Sequence, residues 1–340
     1  MALNAMKGMC IYAHIETCVG GRSNGKLNAG DVQQGLNIQH FNFRKFAMKS
    51  RTFAGLALLL AAGLLLAQDD EIRVQSTEVV PGLYMLDGAD GKFAGGNMGL
   101  LVGADGVVLI DDGLPIISAS LLAAIADITG QPVDFLINTH VHGDHTGSNA
   151  AMHAHGATII AHDNIRKRLL EASGDDAVAP GALPQITFSD STTFHLNGHT
   201  AHVFHVQHAH TDGDAVIHFT DINVIHTGDV MFNKLFPFID LDSGGSVDGF
   251  LAAQTRIIAI ADEDTIIIPG HGPLATRADL ILARDMLADS QARVRKLVDA
   301  GMSEDEIVAE NPLADYHDVW SWGFITTERM TRSLVQSFKQ

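Results

Sequence analysis

Short apolar runs alternate with segments of helical spacing from residue 74 onwards. Runs rich in Val, Ile and Leu between turn residues favour strands, whereas apolar residues three and four positions apart favour helices. Strands are predicted over residues 82–88, 97–113, 133–140, 156–162, 185–210, 214–229 and 264–273. Helices are predicted over residues 116–130, 163–173, 247–261 and 277–301.

Turn and capping residues support these elements. Residues 104–106 (ADG) are a hairpin signal, Gly130 is expected to end the first helix, and Asp163 is expected to cap the second. Strands and helices repeat in two halves, which predicts an α+β fold: two mixed sheets packed face to face with helices outside, a four-layer αββα sandwich. No Pro-rich or Ser-rich linker divides it, so residues 68–340 are predicted to form a single domain.

The N-terminal part of the chain has the pattern of a secretory signal. Lys49 and Arg51 precede an apolar run over residues 53–66, and acidic residues follow it. Because this run is shorter than the ~20 residues of a membrane span, residues 48–67 are predicted to be a cleaved signal peptide, with an uncleaved anchor as the alternative. Translation is then expected to begin at Met48, since a secretory signal does not normally work behind an upstream leader such as residues 1–47. The expected location is periplasmic or secreted, without stable membrane association.

Charge and cysteine content restrict the partners and the ligands. The chain has 22 Lys and Arg against 40 Asp and Glu, a formal net charge of −18. This excess argues against a nucleic-acid partner, because binding to phosphates draws on clustered basic residues. Both cysteines, Cys10 and Cys18, fall in the leader, so the exported part has no disulfide and no thiolate ligand.

Residues 139–147 (THVHGDHTG) place three histidines and an aspartate in six consecutive positions. His140 and His142 stand two apart, so in an extended segment both point the same way, and neutral imidazole is a preferred ligand of zinc. Asp144 and His145 follow at once and point elsewhere. The spacing therefore predicts two adjacent metals that share this loop.

Further metal-binding residue types follow later β-runs, each before a Gly-containing loop: His210, Asp229 and His271. Loops at one edge of a sandwich are a suitable place for a shared site. His208 is the alternative to His210. It is the last of four histidines spaced three residues apart along one predicted strand, His199, His202, His205 and His208, and these cannot all face one side. The remaining histidines are predicted to be structural or exposed: His153, His155, His162, His195, His199, His202, His205, His218, His226 and His317.

With these motifs the sequence resembles the metallo-β-lactamase superfamily of binuclear zinc hydrolases over residues 74–275. The resemblance is carried by Asp111 in LIDDG, the HVHGDH cluster, His210 in HTDGD, Asp229 in HTGD and His271 in PGHG. The αββα sandwich of that superfamily agrees with the fold predicted above. The HTDGD motif begins at His210, which favours this residue over His208.

The resemblance implies two zinc ions per chain. The first would be held by His140, His142 and His210. The second would be held by Asp144, His145 and His271. Asp229 would bridge both ions, and Asp111 would order the loop behind them. Such a pair supplies a metal-bound hydroxide that attacks a carbonyl at neutral pH, and Asp144 is expected to act as a catalytic residue by orienting it.

The expected substrate is a small carbonyl compound, and export of the protein favours a β-lactam ring, as in an antibiotic-resistance β-lactamase. In the subclass best known for broad-spectrum resistance, however, a cysteine matches Asp229 and a residue that binds no metal matches His145. Lactones, esters or thioesters are therefore the alternative. Glutathione thioesterases normally have a basic C-terminal helical domain, and residues 276–340 lack a clear basic set. A persulfide dioxygenase with one iron is the third possibility.

Two segments are expected to flank the metals. Residues 88–97 occupy the place of a mobile hairpin in the family, where Lys92 and Phe93 would supply charge and an apolar cover. Residues 232–245 follow Asp229, and Lys234 there would bind a substrate carboxylate. An ordinary exposed loop is the alternative for both segments.

Overall fold

The computed structural model describes residues 72–174 and 177–339. The predicted leader, the predicted signal peptide and both cysteines lie outside the described residues. The strands are β1 (Val74–Val80), β2 (Leu83–Gly88), β3 (Met98–Gly103), β4 (Gly106–Ile110), β5 (Phe135–Ile137), β6 (Thr158–His162), β7 (Ile186–Phe188), β8 (Ser191–Leu196), β9 (His199–His205), β10 (Ala215–Phe219), β11 (Val224–His226), β12 (Ile266–Ile268) and β13 (Ala275–Thr276). The α-helices are α1 (Ser118–Thr129), α2 (Gly143–Thr146), α3 (Asn149–Ala154), α4 (Asp163–Glu171), α5 (Val247–Ile260), α6 (Arg277–Asp299), α7 (Glu304–Glu310), α8 (His317–Trp320) and α9 (Thr327–Ser337).

The strands form two mixed sheets. The first contains β1 to β7 in sequence order, with antiparallel pairs from β1 to β4 and parallel pairs from β4 to β7. The second has the order β13-β12-β11-β10-β9-β8, in which β11 and β12 are parallel and the other pairs antiparallel. Parallel neighbours end at the same edge of a sheet, so each sheet gathers there the loops that follow its parallel strands.

Side-chain alternation along the strands builds the layers. Val108 of β4 and Ile217 of β10 belong to the buried cluster between the two sheets. Leu109 of β4 instead packs with Leu121 of α1 on the outer face of the first sheet. On the outer face of the second sheet, residues of β11 and β12 pack with residues of α5 and α6. The four-layer αββα arrangement predicted from the sequence is therefore confirmed.

The C-terminal helices add a further apolar cluster beside the sandwich. Residues of α6, α7 and α9 pack with Phe236 of the loop after Asp229 and with Phe250 of α5, which both lie between β11 and β12 in sequence. This packing brings the segment between α8 and α9 next to the loop that follows Asp229. Among residues 72–174 and 177–339, no helix has the length and apolar composition needed to cross a membrane.

Two local predictions differ from the structure. The strand predicted over residues 133–140 ends at Ile137, because the Thr139 N–H donates to the Asp111 carboxylate at 2.7 Å instead of to a strand. Asp163 is not the cap of α4: His162 is the N-cap, and its ring accepts from the Asn164 N–H. Asp163 is the first helical residue and accepts from the Ser189 hydroxyl at 2.7 Å. The stop at Gly130, which has a φ of 64°, is confirmed.

Candidate metal centre

Strand ends position the site. Asp111 directly follows β4, and the loop after its parallel neighbour β5 contains His140. In the second sheet, Asp229 follows β11 and His271 follows the parallel strand β12. Because parallel strands end at a common edge, chemistry-bearing residues from distant parts of the sequence meet there.

The first group of potential ligands contains three histidines and a carboxylate: His140, His142, His210 and Asp229. One nitrogen or oxygen from each lies within 4.8 Å of the others. Nδ1 of His142 lies 2.8 Å from Nε2 of His210. Oδ2 of Asp229 lies 3.4 Å from Nε2 of His210 and 3.7 Å from Nε2 of His140.

The second group contains Asp144, His145 and His271, again with their ligand atoms within 4.8 Å of one another. Nε2 of His271 lies 3.4 Å from Oδ2 of Asp144 and 3.5 Å from Nε2 of His145. Asp229 also faces this group, with Oδ1 3.0 Å from His145 and Oδ2 3.4 Å from His271. The Asp229 carboxylate therefore lies between the two groups, as a bridging ligand would.

Four of these imidazoles are oriented through the ring nitrogen that points away from the centre. Nδ1 of His145 donates to Oδ2 of Asp111 at 2.7 Å, and Nδ1 of His210 donates to the Phe238 carbonyl at 2.7 Å. Likewise, Nε2 of His142 lies 2.9 Å from the Asp240 carboxylate, and Nδ1 of His140 lies 3.0 Å from the Thr139 hydroxyl. With a proton on its outer nitrogen, each ring can present its other nitrogen to a metal ion at the centre.

Two of the atoms turned inward lack a hydrogen bond. Nε2 of His140 and Oδ1 of Asp229 are buried without a hydrogen bond. With the outer nitrogens of His142 and His210 protonated, their inner nitrogens, 2.8 Å apart, would both present lone pairs. Buried polar atoms are costly unless something pairs with them, and divalent cations held by the two groups would satisfy these atoms. A histidine and carboxylate set without sulfur suits zinc, so the residues fit the two zinc ions that the sequence implied.

Burial and mutual charge perturb the site strongly. Burial lowers the pKa of His210 to about 4. Burial also opposes protonation of His271, but the carboxylates of Asp229 and Asp144 outweigh it and raise the pKa of His271 to about 9. For Asp144, burial favours the neutral acid, yet His145 and His271 lower its pKa, so it is ionised at neutral pH. Such a cluster of perturbed groups is typical of functional sites.

Asp111 supports the histidine loop from behind. Its carboxylate accepts from the N–H and the hydroxyl of Thr139, both at 2.7 Å, and from His145. The residue is fully buried and has a φ of 57°, in the left-handed region that few residues other than glycine adopt. Asp111 therefore occupies the supporting position that the resemblance implied for it.

Two glycines allow the chain to approach the ligands closely. A β carbon at Gly96 would overlap the His145 ring, and one at Gly270 would overlap Oδ1 of Asp229. The loops before β3 and after β12 can therefore press against the site only because both positions lack a side chain.

A cavity of about 500 Å³ opens over the two groups. Its polar lining comes from candidate ligands, namely His142, Asp144, Asp229 and His271. The rest of its lining is aromatic: Phe93, Phe232, Phe238, Trp322 and Phe324. This volume suits a small-molecule substrate.

The structure brings together all seven residues that the sequence singled out as ligands, and it separates His208 from them. Nδ1 of His208 lies 2.8 Å from the Gly244 carbonyl, and within the described residues His208 belongs to no ligand group. Both flanking segments reach the cavity, through Phe93 and through Phe232 and Phe238. Lys234 does not fit its predicted role: it is exposed, has a φ of 61° and is not part of the lining.

Sequence reasoning missed Asp240, Trp322 and Phe324. Asp240 had no recognisable motif. The two aromatic residues lie in residues 319–324 (VWSWGF), which contain both tryptophans of a chain that is 6% aromatic. That local concentration was the available signal.

Comparisons of the sequence with known proteins identify the family. A model of the metallo-beta-lactamase superfamily matches residues 91–271, more than half of the chain. A hydroxyacylglutathione hydrolase from Polaromonas sp. is 29% identical over 168 residues, which are 48% of this chain and 57% of that protein. Another, from Methylococcus capsulatus, is 29% identical over 119 residues, 35% of this chain and 41% of that protein. The chain thus matches less than two thirds of the length of these relatives.

Solved structures share the fold at low sequence identity. A metallo-beta-lactamase from Pontibacter korlensis has a TM-score of 0.54 and 20% identity, covering 64% of this chain and 100% of that one. An inverting sec-alkylsulfatase from Pseudomonas sp. has a TM-score of 0.60 and 17% identity, covering 78% of this chain and 50% of that one. At these identities the likeness concerns the fold alone. Together with the family match and the paired ligand groups, it leads to one conclusion: this chain belongs to the metallo-beta-lactamase superfamily.

Proposed function

We propose that this protein is an exported dinuclear zinc hydrolase that attacks the carbonyl group of a small ester or thioester. The observation that carries the proposal is the position of Asp229, whose carboxylate lies between the two ligand groups at the base of one cavity: Oδ2 faces both His210 and His271, and Oδ1 faces His145. Zinc ions held there would supply a nucleophile at neutral pH and polarise the substrate carbonyl.

The residues around the cavity can position water and move a proton. Asp144 is ionised at neutral pH, and with 24% of its side chain exposed it is the most accessible carboxylate among the candidate ligands. Its Oδ2 atom can orient a water molecule and accept a proton from it. A protonated Asp144 can then return that proton to the departing oxygen or sulfur, which completes the hydrolysis without another acid.

Ester and thioester substrates are favoured over a β-lactam by the relatives in sequence, which are hydroxyacylglutathione hydrolases. The β-lactam substrate favoured by the sequence pattern stays a prediction and belongs in the same assay. Both reactions need the same apparatus, because each begins with attack on a carbonyl carbon.

The experiment is hydrolysis by the purified, zinc-loaded full chain, with and without a chelator. The substrates are an aryl ester, an aryl thioester, a lactone, S-lactoylglutathione and a chromogenic β-lactam. Chelator-sensitive turnover of the ester or thioester, reduced at least 100-fold by Asp144→Asn, is expected. The matched control is Asp127→Asn, an exposed aspartate on α1, which should hydrolyse at the wild-type rate.

Two results would contradict the proposal. Turnover of the β-lactam alone would make the enzyme a β-lactamase, and turnover of no carbonyl substrate would remove the hydrolase assignment. Export is tested separately, by fractionating cells that express the full chain. We expect a processed form outside the cytoplasm, and an unprocessed cytoplasmic protein would contradict this part of the proposal.

A further inference from the structure

The cavity over the candidate ligands has two chemically distinct parts. Its polar side chains all come from residues placed in the metal centre, and its other five lining residues are aromatic. None of the lining residues is a lysine or an arginine. A substrate whose reacting group sits over the metal centre therefore meets only aromatic rings with the rest of its surface.

The aromatic residues form a continuous wall around His271. Phe232 is stacked on the His271 ring with centroids 5.0 Å apart, and Phe93 is stacked on it at 6.0 Å. Trp322 lies 6.3 Å from the same ring and 5.6 Å from Phe324. The wall thus begins at a candidate ligand and extends to the mouth of the cavity.

The C-terminal segment is fixed in place by hydrogen bonds to backbone carbonyls. The Trp322 indole donates to the Phe236 carbonyl at 2.9 Å, and the Phe236 N–H donates to the Trp320 carbonyl at 2.7 Å. Arg329 donates to the Phe324 carbonyl at 3.0 Å, and its guanidinium lies 4.0 Å from the centre of the Phe324 ring. These contacts hold both aromatic side chains at the cavity before any ligand arrives.

Apolar surface is left open at the mouth. Phe93 is 53% exposed and Phe324 is 47% exposed, and both line the cavity. Large aromatic side chains that stay exposed at the rim of a concave site are typical of a surface that an apolar ligand covers.

The same surroundings disfavour an anionic ligand. Apart from Asp144 and Asp229, whose negative charge bound zinc ions would offset, the described residues that line the cavity include no further carboxylate and no lysine or arginine. Arg329, the cation stacked on the wall, is already engaged by Phe324. A substrate carboxylate placed among the rings would lose its hydration without a charged partner, which is costly.

We infer that the site takes an uncharged substrate with an apolar group about the size of an aromatic ring, and that Trp322 and Phe324 determine this specificity. The inference rests on the proposed function and narrows it to neutral esters or thioesters with an apolar acyl group. It separates this protein from enzymes that recognise a charged glutathione moiety.

Binding can be measured without turnover. Both tryptophans lie within residues 320–322, so tryptophan fluorescence reports a ligand at the wall. The full chain would be titrated with N-benzylacetamide, which is uncharged and stable, and with S-methylglutathione, which is anionic and stable. We expect saturable quenching by N-benzylacetamide and an affinity for S-methylglutathione at least tenfold weaker.

A substitution in the aromatic wall is compared with a control substitution outside it. Phe324→Ala should weaken N-benzylacetamide binding about tenfold, since it removes much of an aromatic contact surface. The half-exposed position allows truncation without loss of the fold, which circular dichroism checks. Val319→Ala is the control: Val319 is a 57% exposed apolar residue of the same segment, outside the cavity, and binding should stay unchanged.

The outcomes separate the inference from the proposed function. Tighter binding of S-methylglutathione, or unchanged N-benzylacetamide binding in Phe324→Ala, would overturn the inference. Hydrolysis of S-lactoylglutathione in preference to a phenylacetyl thioester would also overturn it while leaving the hydrolase assignment intact. Binding of N-benzylacetamide without hydrolysis of any substrate would support the aromatic wall as a binding surface and contradict the proposed function.

Discussion

The Nε2 atom of His142 lies 2.9 Å from Oδ2 of Asp240, although the two residues are 98 positions apart in sequence. Asp240 is itself anchored, because its other carboxylate oxygen accepts from the N–H groups of Asp242 and Ser243. Burial opposes ionisation of Asp240, but the hydrogen bonds from His142 and Ser243 outweigh it and lower its pKa. A fixed carboxylate thereby sets the orientation of a candidate ligand.

Removal of this carboxylate should weaken metal binding. Asp240→Ala is expected to lower zinc affinity about 10- to 100-fold, because the His142 ring loses the partner that orients it. Asp240→Asn should lose less zinc affinity, since its amide oxygen can still accept a hydrogen bond from Nε2 of His142. Competition with a chromogenic chelator measures the affinity. The exposed neighbour Asp242 provides the control as Asp242→Asn, and equal affinities for Asp240→Ala and the wild type would refute the positioning role.

The choice between His210 and His208 can be tested by metal content. His210 is fully buried with Nε2 directed at the first group, whereas His208 is outside both groups. His210→Ala should bind about one zinc ion fewer than the wild type, and His208→Ala should bind the same number. Elemental analysis of the dialysed proteins distinguishes them. Zinc loss in His208→Ala alone would reverse the assignment.

Much of the fold was predictable because strand periodicity reflects burial. Along β10, Ala215, Ile217 and Phe219 face the layer between the sheets, while Val216 faces the outer helices. Central strands such as β4 and β10 are covered on both faces, so apolar runs with turn residues at their ends were a sufficient signal. Boundaries were less predictable where a side chain takes over a strand hydrogen bond, as Asp111 does after β5.

The metal centre was predictable for a different reason. Its histidines and aspartates follow strands directly, so the sequence itself placed them at one edge. Asp240, Trp322 and Phe324 reach the site only through tertiary packing of the C-terminal helices and the loop after β11. No local periodicity records such contacts, and the family motifs do not include them.

Asp111 should contribute strongly to stability. Asp111→Ala would leave the buried Thr139 N–H and the His145 Nδ1–H without acceptors, and it is expected to lower the free energy of unfolding by about 3 kcal/mol or more. Asp111→Asn should cost less, because Asn tolerates the positive φ and keeps an acceptor.

Urea denaturation of the metal-free proteins measures this loss, with the exposed Asp127→Ala as control. Equal midpoints for Asp111→Ala and the control would show that the network is not important for stability.

Zinc affinity should rise with pH. Despite the opposing effect of burial, Asp229 and Asp144 raise the pKa of His271 to about 9 in the metal-free protein, so its ring is protonated at pH 7. Zinc must displace that proton, and affinity should increase about tenfold per pH unit per proton displaced until pH 9. Competition titrations between pH 6.5 and 9 measure the slope. An affinity independent of pH over that range would show that His271 does not bind the metal.

The most direct measurement is the metal content of the full-length protein purified without added metal, together with that of Asp229→Asn. Two ligand groups that share Asp229 predict about two zinc ions per wild-type chain and fewer in the variant. A single iron ion, as in a dioxygenase, or the same zinc content in both proteins would contradict a dinuclear centre bridged by Asp229.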